Sequence, residues 1–141
     1  MKRVLKWTAI VLAVAFVAIQ FVPVDRDNPP LGTTLVAPPH IQAILKRSCF
    51  DCHSNETHWP WYAYVAPASW LVAEDVKDGR KHLNFSIWGD MSKAKRESKM
   101  TEIADETESG AMPLEKYVLL HSEAKLSTED VAALKVWAEA P

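Results

Sequence analysis

Only two of the 141 residues are cysteine, and they stand three apart at Cys49 and Cys52. There is no second pair, and His40, His58, His82 and His121 are scattered, so a four-ligand zinc site of the paired Cys/His kind is excluded. No βαβ pattern surrounds the two thiols, which removes a thioredoxin-like dithiol. An excess of basic charge is missing too. Taking Lys2, Arg3 and Lys6 from the 16 basic side chains leaves 13 against 18 acidic ones, a net charge of about −5 for the rest of the chain. A mildly acidic domain without a basic face points away from nucleic acid. Its one dense positive cluster, Lys93, Lys95, Arg96 and Lys99, reads as a solvated helix face, with a docking patch for an acidic redox partner as the alternative. There is no internal repeat, and no Ser/His/Asp or paired-carboxylate arrangement marks a separate catalytic centre. Wholesale disorder is excluded, because 48% of the residues are hydrophobic.

What is present centres on Cys49-Phe50-Asp51-Cys52-His53. Two cysteines three apart followed at once by histidine form the pattern of a c-type haem attachment site. Each thiol can add across one vinyl group of the porphyrin, and the neighbouring imidazole serves as an axial iron ligand. One helical turn brings both sulfurs to the same edge. A structural disulfide would account for the pair but not for His53.

The amino terminus sets three cations before an apolar run from Trp7 to Val22, interrupted only by Thr8 and Gln20. Its rise of roughly 24 Å falls a little short of a ~30 Å hydrocarbon core, and Val4, Leu5 and the stem of Lys6 extend it. Residues 1–24 are therefore expected to form a retained signal-anchor, a transmembrane helix whose basic flank stays cytoplasmic. The alternative is a signal peptide cleaved near Ala13-Val14-Ala15, leaving a soluble periplasmic protein. Either way the remainder is expected on the periplasmic side of the bacterial inner membrane, where covalent haem attachment takes place. Residues 25–38 are rich in proline and read as a semi-rigid linker, and 39–141 as the haem-binding domain.

Along that domain, Pro38 and Pro39 predict a helix start, with Ile41, Ile44 and Leu45 as its buried stripe leading into Cys49. Trp59-Pro60-Trp61-Tyr62-Ala63-Tyr64 is expected to be an aromatic loop covering a porphyrin edge, with Trp59, Trp61 and Tyr64 offering N–H and O–H groups to the propionates. The plainer alternative is that these rings are core. A second helix is predicted from Pro67 to about Asp78, with Gly79 as a left-handed cap and Arg80 beyond it as a propionate partner. His82 to Gly89 reads as a haem-packing loop. Further helices are predicted over Ser92 to Ser109, stopped by Gly110, from Pro113, and after Ser127, whose Asp130 completes a capping box while Leu126 and Val131 form a staple. The fold class is all-α, a small cytochrome c-like helical domain around one covalent haem.

For the sixth iron ligand Met112 is chosen, since a methionine before proline projects from an extended chain between two helices. Met91 and Met100 lack that context. His58, His82 and His121 are the histidine alternatives. The resulting reading is an electron carrier rather than an enzyme, exchanging single electrons with redox partner proteins. A haem sensor with an open sixth site is the second reading, and a small peroxidase-like enzyme using His82 and Arg80 is the third.

These residues resemble the bacterial haem-binding domain family of small c-type cytochromes. The likeness runs through Cys49–Asn55, Thr57, Trp59–Tyr62, Pro67, Ser69-Trp70, Asp75-Val76, Gly79-Arg80 and Leu83–Ser86. It continues in Gly110, Met112-Pro113, Tyr117, Leu120-His121, Ala124, Leu126-Ser127 and Trp137. The resemblance implies covalent haem c on Cys49 and Cys52 with His53 as axial ligand, and an amino-terminal anchor in many members.

Overall fold

A proline belongs in the first turn of a helix, where its missing N–H would have had no partner, and Pro39 opens α2 (Pro39–Ser48) in that way. The computed structural model describes residues 1–140, and every regular element among them is helical. Ile41, Ile44 and Leu45 of α2 are buried, as their spacing predicts. Cys49 ends α2 and caps α3 (Phe50–His53). The Cys49 carbonyl accepts from the amides of Cys52 (3.2 Å) and His53 (2.9 Å), so the attachment motif is itself one helical turn.

α4 (Ala68–His82) runs past the stop predicted at Gly79. That glycine serves a close approach rather than a cap. A Cβ there would lie 2.5 Å from the Cys52 carbonyl oxygen, so only glycine lets α4 press against α3. Gly110, at φ 75°, does take the left-handed role after α5 (Lys93–Glu108). Ser92 caps the start of α5 by accepting from the Lys95 amide. The helix expected from Pro113 is only the short α6 (Glu115–Val118). α7 (Thr128–Ala138) begins with the predicted capping box between Ser127 and Asp130. Ile41, Ile44, Leu45, Phe50, Phe85, Ile103 and Leu134 form one core with Leu35, and Phe50 stacks on Phe85 at 5.2 Å.

Ahead of α2 the structure departs from the expected tether. Residues 26–35 lie along the domain as a strap. Asn28 Nδ2 donates to the Thr57 carbonyl (3.0 Å), Asn55 Nδ2 to that of Pro30 (2.9 Å), and the Leu35 amide to that of Phe85 (2.8 Å). Proline removes donors but leaves carbonyls free to be used, which composition alone does not reveal.

α1 (Lys2–Ile19) has no buried residue. No helix among the described residues is long and apolar enough to cross a membrane, so the transmembrane anchor expected over residues 1–24 is not supported. Lys2, Arg3 and Lys6 all fall inside α1, and its uncharged part from Trp7 to Ile19 rises only about 20 Å. Just after α1, the Gln20 amide pairs with the Ala66 backbone, donating to its carbonyl (3.2 Å) and accepting from its N–H (2.9 Å).

Candidate cofactor site

α3, the end of α4, one face of α5 and the loop before α6 enclose a cavity of about 380 Å³. Cys49, Cys52, His53 and Met112 all line it, and Leu83, Phe85, Ile103 and Leu114 supply apolar wall. Residues more than sixty apart in sequence thus share one surface, lined by α3 on one side and by α5 with the loop after it on another.

His53 is held from behind. Its Nδ1 lies 3.0 Å from the Gly79 carbonyl oxygen and 3.2 Å from that of Leu83. Carbonyls only accept, so Nδ1 carries the proton and Nε2 keeps its lone pair. Burial holds the imidazole below its ordinary pKa, outweighing those two hydrogen bonds, and favours the neutral form that binds metal. Cys49 and Cys52 are not bridged to one another. Burial pushes the Cys49 thiol up to about 12 and the Cys52 thiol up to about 11. Both therefore stay protonated at neutral pH and are poor nucleophiles by themselves.

Two thiols, one imidazole lone pair and one thioether in a partly apolar pocket fit a haem. They suit porphyrin attachment and haem iron rather than a hard cation. No group of three or more His, Cys, Asp or Glu among the described residues could hold a bare metal ion.

Other predicted site residues lie elsewhere. Trp59, Trp61, Tyr64 and Arg80 are not among the lining residues. Trp61 is 78% exposed, and Tyr64 carries the Arg26 guanidinium 4.6 Å over its ring. Arg80, expected to meet propionates, is turned into the fold. It donates to the carbonyls of Ser54 (2.8 Å) and Asp27 (2.8 Å), to Asn28 Oδ1 (2.7 Å) and to Thr57 Oγ1 (2.9 Å). Its bonds tie the strap to the loop after His53. Of the histidine alternatives, His82 borders the cavity, whereas His58 is exposed beside Asp51. His121 is held by Tyr62 Oη (2.6 Å) and Glu123 (3.2 Å) and stacks on Tyr117 at 4.3 Å. Of the two remaining methionines weighed, Met91 and Met100 are half-buried and line no part of the cavity.

Several lining residues were not foreseen. Tyr117 donates to Asp51 Oδ2 (2.7 Å), and burial with that carboxylate raises its phenol well above the ordinary value. On α5, Lys99, Glu102, Ile103, Glu106 and Thr107 all border the cavity. Their i, i+3, i+4, i+7, i+8 spacing was readable, but Lys99 belongs to the cluster that reads as a solvated helix face, which hid its place on this surface.

No curated protein and no solved structure matches the chain. The family model of the Haem-binding domain matches residues 14–140, which takes in the strap, the cavity and all the helices that build it. With haem-type donors sharing one cavity and this match across nearly its whole length, the chain belongs to the Haem-binding domain family.

Proposed function

We propose that this chain is a monohaem c-type cytochrome that carries single electrons between redox proteins. The observation that carries the reading is the sharing of one cavity by Cys49, Cys52, His53 and Met112. Cys49 and Cys52 would each give up an S–H across a porphyrin vinyl bond, leaving two thioethers and no change in oxidation state. His53 Nε2 and the Met112 thioether would hold the iron. When bound, the haem supplies a one-electron iron couple whose potential a thioether ligand raises. The chain's own work is to fix the imidazole tautomer through Gly79 and Leu83, and to keep water from the apolar wall. Because burial keeps both thiols protonated, attachment is expected before the domain closes, with assembly machinery presenting the haem.

The proposed site of action is the periplasm at the bacterial inner membrane. Trp7, Leu12, Phe16 and Val17 of α1 stand exposed, which suits an export segment that meets lipid. Release after cleavage is the alternative outcome. A peroxidase-like reading loses its arginine, since the Arg80 donors are engaged by the strap and by the loop after His53.

The test is the protein made with cytochrome assembly machinery. Its intact mass should rise by one haem, and the ferric spectrum should show the weak far-red sulfur-to-iron band. Met112→Ala should abolish that band. High-spin haem that takes up carbon monoxide readily in the unaltered protein would favour the sensor instead.

A further inference from the structure

We propose that Lys99 is the cationic anchor for the porphyrin's propionate carboxylates. This rests on the haem reading and assigns a role that neither the attachment motif nor the family match specifies. Haem brings carboxylates with it, and a partly apolar cavity must either pair them or leave them to water. Among the cavity's lining residues, the other charged side chains are acids, with Asp51 on α3, Asp75 and Asp78 on α4 and Glu102 and Glu106 on α5. Each of these repels a carboxylate. His82 stands at the exposed mouth, and Lys99 is the lysine or arginine of the lining.

The surroundings of Lys99 suit the role. Its side chain is 15% exposed, against 84% for Lys93 of the same helix. The cluster that reads as solvated in sequence is thus split, with this one lysine folded onto the cavity wall. Its ammonium donates to Glu102, a side chain that is 51% exposed. An ammonium has three donors, so that ion pair leaves two for a ligand. The competing cations are already paired. Arg80 holds the strap, Arg47 pairs with Asp130 (2.7 Å), and Lys116, itself outside the lining, pairs with the lining carboxylate of Asp75 (2.9 Å).

The experiment uses the haem-loaded full chain. In the reduced, diamagnetic protein, nuclear Overhauser effects should connect the Lys99 ε-methylene to the propionate methylenes. Their absence, with Lys99 assigned, overturns the proposal without needing any variant. Removing a positive charge from beside the haem should lower the midpoint potential in Lys99→Met. Lys99→Arg should keep it close to the parent, and Lys81→Met, which alters an exposed neighbour of the mouth, should shift it much less. Equal shifts for Lys99→Met and Lys81→Met would also overturn the assignment. A chain that takes up no covalent haem, seen from its intact mass, would instead defeat the underlying cytochrome reading.

Discussion

The two walls of the cavity are built on different plans. The wall of α3 and α4 is locked backbone to backbone, with Gly79 seated on Cys52 and two carbonyls gripping His53. The wall of α5 and the following loop is held from outside, by packing of α5 on α7 and the Lys135–Glu108 pair at 2.8 Å. Met112 itself is fixed by one backbone bond, from its amide to the Glu106 carbonyl (3.0 Å). The first wall has its ligand tautomer set before any cofactor arrives. The second is held by side chains, Ile103 and Leu134 in the core and the Lys135–Glu108 pair at the surface, rather than by a close backbone approach.

The largest effect should come from breaking the first wall. Gly79→Ala puts a methyl group into the Cys52 backbone, which cannot swing aside as a side chain could. It should cost about 3 kcal/mol in denaturant unfolding and disturb His53 ligation in the visible spectrum. A loss below the uncertainty of that measurement would show that the α3–α4 contact is softer than the second wall.

A smaller loss is expected where the second wall is held. Asp130 bonds the Ser127 amide (2.9 Å) and pairs with Arg47, tying α7 to α2. Asp130→Asn should cost about 1 kcal/mol at neutral pH. The Ser127 backbone hydrogen bond, aided by Arg47, holds the Asp130 carboxyl below its ordinary 3.8. A depressed folded-state pKa gives stability that is present above 3.8 and lost as pH falls through the folded value. The difference between parent and variant should thus be flat near neutrality and vanish in strong acid, as read by unfolding at a series of pH values. The smallest effect belongs to a ring outside both walls. Trp61→Ala should alter stability by no more than about 0.5 kcal/mol and leave the haem spectrum unchanged.

Local chemistry made much of this legible. The five-residue motif, the proline at the start of α2, the Ser127 capping box and the glycine after α5 each act within a few residues, so their spacing announces them. Gly79 shows where that ends. A glycine near a helix end reads as a cap, and only the arrival of α3 reveals it as a contact surface. Arg80 misleads for a related reason, since a guanidinium suits a propionate and a strap of carbonyls equally well. Which it meets depends on residues about 25 and 50 positions away in the chain. The aromatics of residues 59–64 were given the porphyrin on grounds of shape, yet the rings that border the cavity are Phe85, from the expected haem-packing loop, and Tyr117. Lys99 was lost among its neighbours because composition reports a cluster's charge but not which member folds inward.

The strap has a consequence for the way electrons would change hands. Residues 26–35 are fastened down and Gln20 clasps Ala66, so little slack separates α1 from the cavity. A domain on a loose leash could sweep through a volume and find fixed partners by itself. Were α1 to fasten the domain to a membrane, one mounted this closely could not, and the donor and acceptor of the proposed cytochrome would have to come to it. Turnover would then follow how fast they diffuse, and adding flexible residues between α1 and Gln20 would weaken that dependence by lengthening the reach.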